Sequence, residues 1–78
     1  MLTGAQIRAA RAAVGWTAEA LAEASGVSSK TIRRLEASAE LPAGTSKTQL
    51  ALKSCLESAG IEFIGSPDDG PGIRIRRP

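Results

Sequence analysis

GVSSKTIRRLE, Gly26 to Glu36, sets a turn, a cap and an amphipathic helix side by side. Gly26 suits the left-handed backbone of a sharp turn. Val27 is a buried-type residue, and Ser28 is placed to cap a helix. The helix predicted over 29–36 carries Ile32 and Leu35 on one side and Lys30 and Arg34 on the other. At about 100° per residue, Ile32, Leu35 and Glu36 lie inward and Lys30 and Arg34 lie nearly opposite, one turn apart. Ser29 and Arg33 fall on one flank and Thr31 on the other.

The segments before it use the same local device. In LTGAQIRAARAAVG, Thr3 caps a helix and Gln6 completes a capping box, with Leu2 and Ile7 as a hydrophobic staple. Alanine favours helix, and Gly15 stands where a C-terminal glycine belongs, so a helix is expected over about 4–14. In WTAEALAEASG, Thr17 caps, Trp16 and Leu21 form the staple, and the helix spans roughly 18–24. Val27 and Ile32 repeat the staple around Ser28. One glycine between the second and third helices predicts a tight helix-turn-helix, and the small Ala22 lets the third helix cross closely.

Beyond Glu36 the stretch ASAELPAGT contains the breakers Pro42 and Gly44. A fourth helix is expected after Ser46, with Gln49 three residues on. Leu52, Cys55, Leu56 and Ala59 give its apolar periodicity, with Leu50 near its start. Gly60 ends it. The period then changes. Ile61-Glu62-Phe63-Ile64 and Ile73-Arg74-Ile75-Arg76 alternate, separated by the turn-rich GSPDDGPG, which predicts a β-hairpin with a long connection. Ile61, Phe63, Ile73 and Ile75 would share one face, and Glu62 would meet the arginines on the other. The expected fold is mainly α: a four-helix bundle over residues 1–60 with a two-stranded hairpin over 61–78.

Composition narrows the chemistry. The chain has 78 residues, a net charge of +2, one cysteine, no histidine and no tyrosine. An internal disulfide and a Cys/His zinc site are excluded, and no carboxylate pair stands in a pocket-forming context. No enzyme, cofactor, metal site or small-molecule ligand is indicated. Cys55 reads as a small core residue. No segment suits a membrane span and the N-terminus carries no signal-peptide pattern, so a cytoplasmic protein is expected. The charges are more informative in distribution than in sum. Lys30, Arg33 and Arg34 form one basic run and Arg74, Arg76 and Arg77 another, while acids gather at Glu19, Glu23, Glu36 and Glu40.

A major groove admits one α-helix, and lysine or arginine commonly reads guanine there. Double-stranded DNA is therefore the expected partner, with Ser29, Lys30 and Arg34 reaching bases. Ser28 and Thr17, at helix N-termini, would meet phosphate, as would Arg33. Arg11 falls on the same face of the first helix as Ile7 and Val14. With Glu36 also leaning inward, an Arg11–Glu36 ion pair is expected, because an unpaired buried charge is expensive.

From Thr3 to about Leu56 the chain resembles the lambdoid phage repressor and Cro class of helix-turn-helix domains, the XRE family. Arg11, Thr17, Leu21, Ala22, Gly26, Val27, Ser28, Ile32, Leu35 and Glu36 stand at the family's spacing. The resemblance implies an all-α bundle that binds specific DNA sequences as a dimer. It implies phosphate contact at Ser28, base contacts at Ser29, Lys30 and Arg34, and the Arg11–Glu36 pair. Ala18 departs from the pattern, since many members carry a DNA-contacting glutamine there. The hairpin stands where a fifth helix is usual, and the ending AGIEFIGSPDDGPGIRIRRP resembles a short bacterial subgroup.

These features lead to the expectation of a transcriptional regulator, more a repressor than an activator, binding a palindromic operator as a homodimer. The alternative is the antitoxin half of a toxin–antitoxin pair that also binds its own promoter. A lone hairpin is marginal in water, so it must meet a partner's hairpin through Ile61, Phe63, Ile73 and Ile75, dock on its own bundle, or serve with Arg74, Arg76 and Arg77 as a basic arm on DNA.

Overall fold

In a computed structural model, which describes residues 2–38, 45–66 and 68–76, the chain forms four helices followed by one antiparallel hairpin. Helix α1 spans Gly4–Ala13, α2 Ala18–Ser25, α3 Ser29–Ala37 and α4 Ser46–Ser58. Strand β1 spans Ile61–Ser66 and β2 Asp69–Ile75. The breakers Pro42 and Gly44, and Arg77 of the tail, lie outside the described residues.

Each helix begins with a hydroxyl that accepts from a backbone N–H three residues on, satisfying a donor the helix itself leaves free. Thr3 Oγ1 accepts from Gln6 N at 3.1 Å, and Gln6 Oε1 accepts from Thr3 N at 2.9 Å, completing the capping box. Thr17 caps α2 and Ser28 caps α3 in the same way, at 3.0 and 3.1 Å. At α4 the expectation is corrected. The cap is Thr45, which accepts from Thr48 N at 3.3 Å, and Ser46 is already helical. Gln49 is thereby moved out of any capping box. It is buried instead, and its Oε1 accepts from Leu2 N at 3.0 Å, tying the start of α1 to α4.

Ile7, Leu21, Ile32, Leu52, Leu56 and Ile61 fill one core, joined by Leu2, Ala10, Ala18 and Leu35. It takes a residue or more from every helix and from β1. Leu50, read with the apolar stripe of α4, is 66% exposed instead. Cys55 is half-buried against the core, and burial pushes its thiol up, so it stays protonated.

The hairpin register pairs Ile61 with Ile75, Glu62 with Arg74, and Phe63 with Ile73. The expected shared face is present, and its inner part packs on the chain's own bundle: Ile61 is buried, and Phe63 and Ile73 lie against the core. Of the four residues expected at a partner's hairpin, Ile75 is the exposed one, at 58%. On the other face Glu62 accepts from Arg74 at 3.3 Å and from Arg76 at 2.8 Å. The expected long connection is corrected too. Asp69 to Gly72 belong to β2, and Ser66 pairs with Asp69. A bulge between Ile64 and Ser66 absorbs the irregular residues there, with Gly65 at a positive φ of 75°. Gln6 fastens the hairpin at this point, donating from Nε2 to Ile64 O at 3.0 Å and Gly72 O at 2.9 Å.

Candidate nucleic-acid interface

The geometry of the interface begins at the turn between α2 and α3. Gly26 has φ 80°, and its N–H closes α2 on Ala22 O at 2.9 Å. Val27 N donates to Ser25 Oγ at 3.2 Å, and Ser28 then opens α3. The chain reverses within three residues because the left-handed glycine takes a conformation that other residues adopt only at a cost.

Two faces of α3 are clearly divided. Ile32 is fully buried and Leu35 nearly so, anchoring the helix in the core. Glu36, one residue on, receives a bidentate pair from Arg11 of α1: Nε to Oε2 and Nη2 to Oε1, both at 2.9 Å. Arg11 Nη1 also donates to Trp16 O at 2.9 Å, so one guanidinium joins α1, the α1–α2 turn and the end of α3. The hydrogen bonds that Arg11 donates to Glu36, and the charge of Glu36, hold Arg11 above the ordinary arginine range although partial burial works the other way. A close approach reinforces this joint. A Cβ on the buried Gly4 would overlap Leu35 O and touch Ser38 O, so α1 can begin this near the end of α3 only with glycine there.

The opposite face of α3 is open. Lys30 and Arg34 are exposed and Ser29 is half-buried at the helix start, so the three candidate base-contacting residues share the outward side of one rigid helix. Among the described residues no carboxylate pairs with Lys30 or Arg34. Thr17 and Ser28 are exposed caps, as a phosphate contact requires, and they stand at the N-termini of α2 and α3. The Ser28 hydroxyl donates to Thr31 Oγ1 at 2.9 Å.

Arg33, the third residue expected at phosphate, is exposed and has a partner within the chain. It forms an ion pair with Glu19 of α2, both side chains being more than half exposed. The tight turn lays α2 beside α3 and brings together charges that are far apart in sequence. A second group lies beside this turn. Lys47 and Thr48, in the first turn of α4, line a cleft of about 420 Å³ with Gly26, Ser28 and Thr31. A lysine near a helix start gives no local signal of this; only the packing of α4 against the turn places it there.

No helix among the described residues is long and apolar enough to cross a membrane. No curated protein matches the chain. A family model described as a helix-turn-helix domain matches residues 3–53, from the cap of α1 to the middle of α4. The match covers well over half of the chain, includes the turn at Gly26 and the whole of α3, and leaves the hairpin outside. The chain therefore belongs to the helix-turn-helix domain family, and DNA is its partner.

Proposed function

We propose that the chain is a sequence-specific transcriptional regulator of the repressor and Cro class, acting as a repressor on a palindromic operator. The observation that carries this reading is the outward face of α3. Lys30 and Arg34 stand one turn apart on a helix whose inner side is fixed by Ile32, Leu35 and the Arg11–Glu36 pair. Ser29, Lys30 and Arg34 read base edges in the major groove. Thr17, Ser28 and the first turns of α2 and α3 hold the flanking phosphates.

One helix of nine residues covers too few base pairs to specify a genomic site, so two copies act together. Ile61, Phe63 and Ile73 are engaged within the chain, which leaves exposed Ile75 and the open strand edge to meet a second copy. Removal of the whole hairpin would uncover the core, so a point substitution, Ile75→Lys, is the better probe of the dimer.

Selection of binding sites from random duplexes tests the proposal, expected to return a symmetric motif with half-sites about one helical turn apart. Replacing Lys30 or Arg34 by alanine should cost about 1–3 kcal/mol and relax preference at a single base position in each half-site. Retention of full sequence preference by both variants would remove α3 as the reading element.

A further inference from the structure

We propose a second binding site, for a small carboxylic acid with an apolar tail, in the groove between α4, β1 and the start of α1. It lies outside the DNA-reading face and does not rest on that function. The groove has a volume of about 350 Å³, within the range of small-ligand sites. Leu2 and Gln49 form part of its floor, Leu50 and Phe63 its apolar side, and Lys53 its rim.

Gln49 carries the argument. Its side chain is buried, with the residue 7% exposed, and its Oε1 is committed to Leu2 N. A flipped amide would set donor against donor, so the orientation is fixed. Among the described residues the Nε2 group then has no hydrogen-bond partner, although it is fully withdrawn from solvent. Buried donors are rarely left this way, and Gln49 lines an open groove, where a small adjustment of the lining side chains would bring an acceptor to Nε2. Lys53 stands four residues later on the same helix and so projects over the same side. Among the described residues no carboxylate pairs with it.

One chemical group answers both needs. A carboxylate can accept from Gln49 Nε2 with one oxygen and pair with Lys53 through the other. Leu50, 66% exposed, would cover the tail of such a ligand together with Phe63 and Leu2. Inorganic phosphate satisfies the donors and leaves the apolar side uncovered. An alcohol of equal length covers the apolar side and leaves Lys53 unpaired.

The test is a titration of the isotope-labelled full chain with sodium hexanoate at fixed pH and ionic strength, following the Gln49 side-chain amide by NMR. Saturable movement of that amide, with Leu50 and Phe63 following, is expected. Lys53→Gln should weaken binding about fivefold or more, and Leu50→Glu should abolish it. Both positions are exposed, and unmoved Ile32 signals would verify that each variant keeps its fold. The alcohol 1-hexanol and inorganic phosphate should each bind more weakly than hexanoate. The proposal is overturned by non-saturating shifts or by equal affinity in Lys53→Gln. Movement of the Gln49 amide with protein concentration alone also overturns it, since the groove would then be an interface between copies.

Discussion

Arg11 and Glu36 are the residues on which the placement of α3 turns. They are 25 positions apart, yet the pair was legible because each sits on an apolar helical face where a lone charge is unaffordable. Its value is testable in a double-mutant cycle of Arg11→Met and Glu36→Gln. Each single change strands the other partner and should cost about 2–4 kcal/mol, with a coupling of about 1–3 kcal/mol. Additive losses would show that the bidentate geometry contributes nothing. The pH dependence has a definite sign. Arg11 is raised in the folded state, so its contribution is complete below the ordinary arginine range and is lost only above it. Urea midpoints between neutral pH and pH 9 should therefore show no fall attributable to Arg11. The roles of Gly4 and Gln49 were not legible, since each depends on a neighbour that only the packed fold supplies.

At the scale of elements, the helices were readable from local chemistry: an apolar residue, a hydroxyl cap and a second apolar residue at fixed spacing. Those signals lie within one helical turn, so α1, α2 and α3 fall within a residue of their expected limits. The cap of α4 slipped by one residue because Thr45 and Ser46 are both competent, and sequence alone does not choose between them. The hairpin connection reads as a longer loop in sequence because glycine, proline and aspartate signal a loop equally well when a bulge lets them pair. The Arg33–Glu19 contact belongs here too, since it arises from the crossing of α2 and α3. It leads to a prediction opposite to that for the other basic residues. Glu19→Gln frees Arg33 for phosphate and removes a negative charge near DNA, so affinity for any duplex should rise about two- to fivefold, with a steeper salt dependence. Fluorescence anisotropy at two salt concentrations measures both. Unchanged affinity and slope would place Arg33 away from the DNA backbone.

For the whole molecule, the hairpin is part of the body that holds α3. Ile61 lies in the common core, and Gln6 joins the first turn of α1 to both strands at the bulge. This second use of Gln6 was invisible in sequence, where the capping box alone accounted for the residue; its strand partners lie 58 and 66 positions away. The arrangement makes Gln6 a joint between the matched helical region and the hairpin beyond it. Gln6→Leu removes one half of the capping box and leaves Ile64 O and Gly72 O without their donor. A loss of about 2–4 kcal/mol is expected, near the sum of one cap and one or two unsatisfied carbonyls. In a domain of this size that lowers the melting temperature by roughly 10–20 °C. The loss should be uneven. Hairpin amides should exchange fastest, because the apolar contacts of Ile61, Phe63 and Ile73 must then hold the strands without Gln6, while the amides of α3 should keep the protection set by Ile32 and Arg11. Hydrogen exchange resolved by residue distinguishes this from simple global destabilisation. Equal loss of protection in α3 and the hairpin would mean that the two open together and that Gln6 has no local role as a joint.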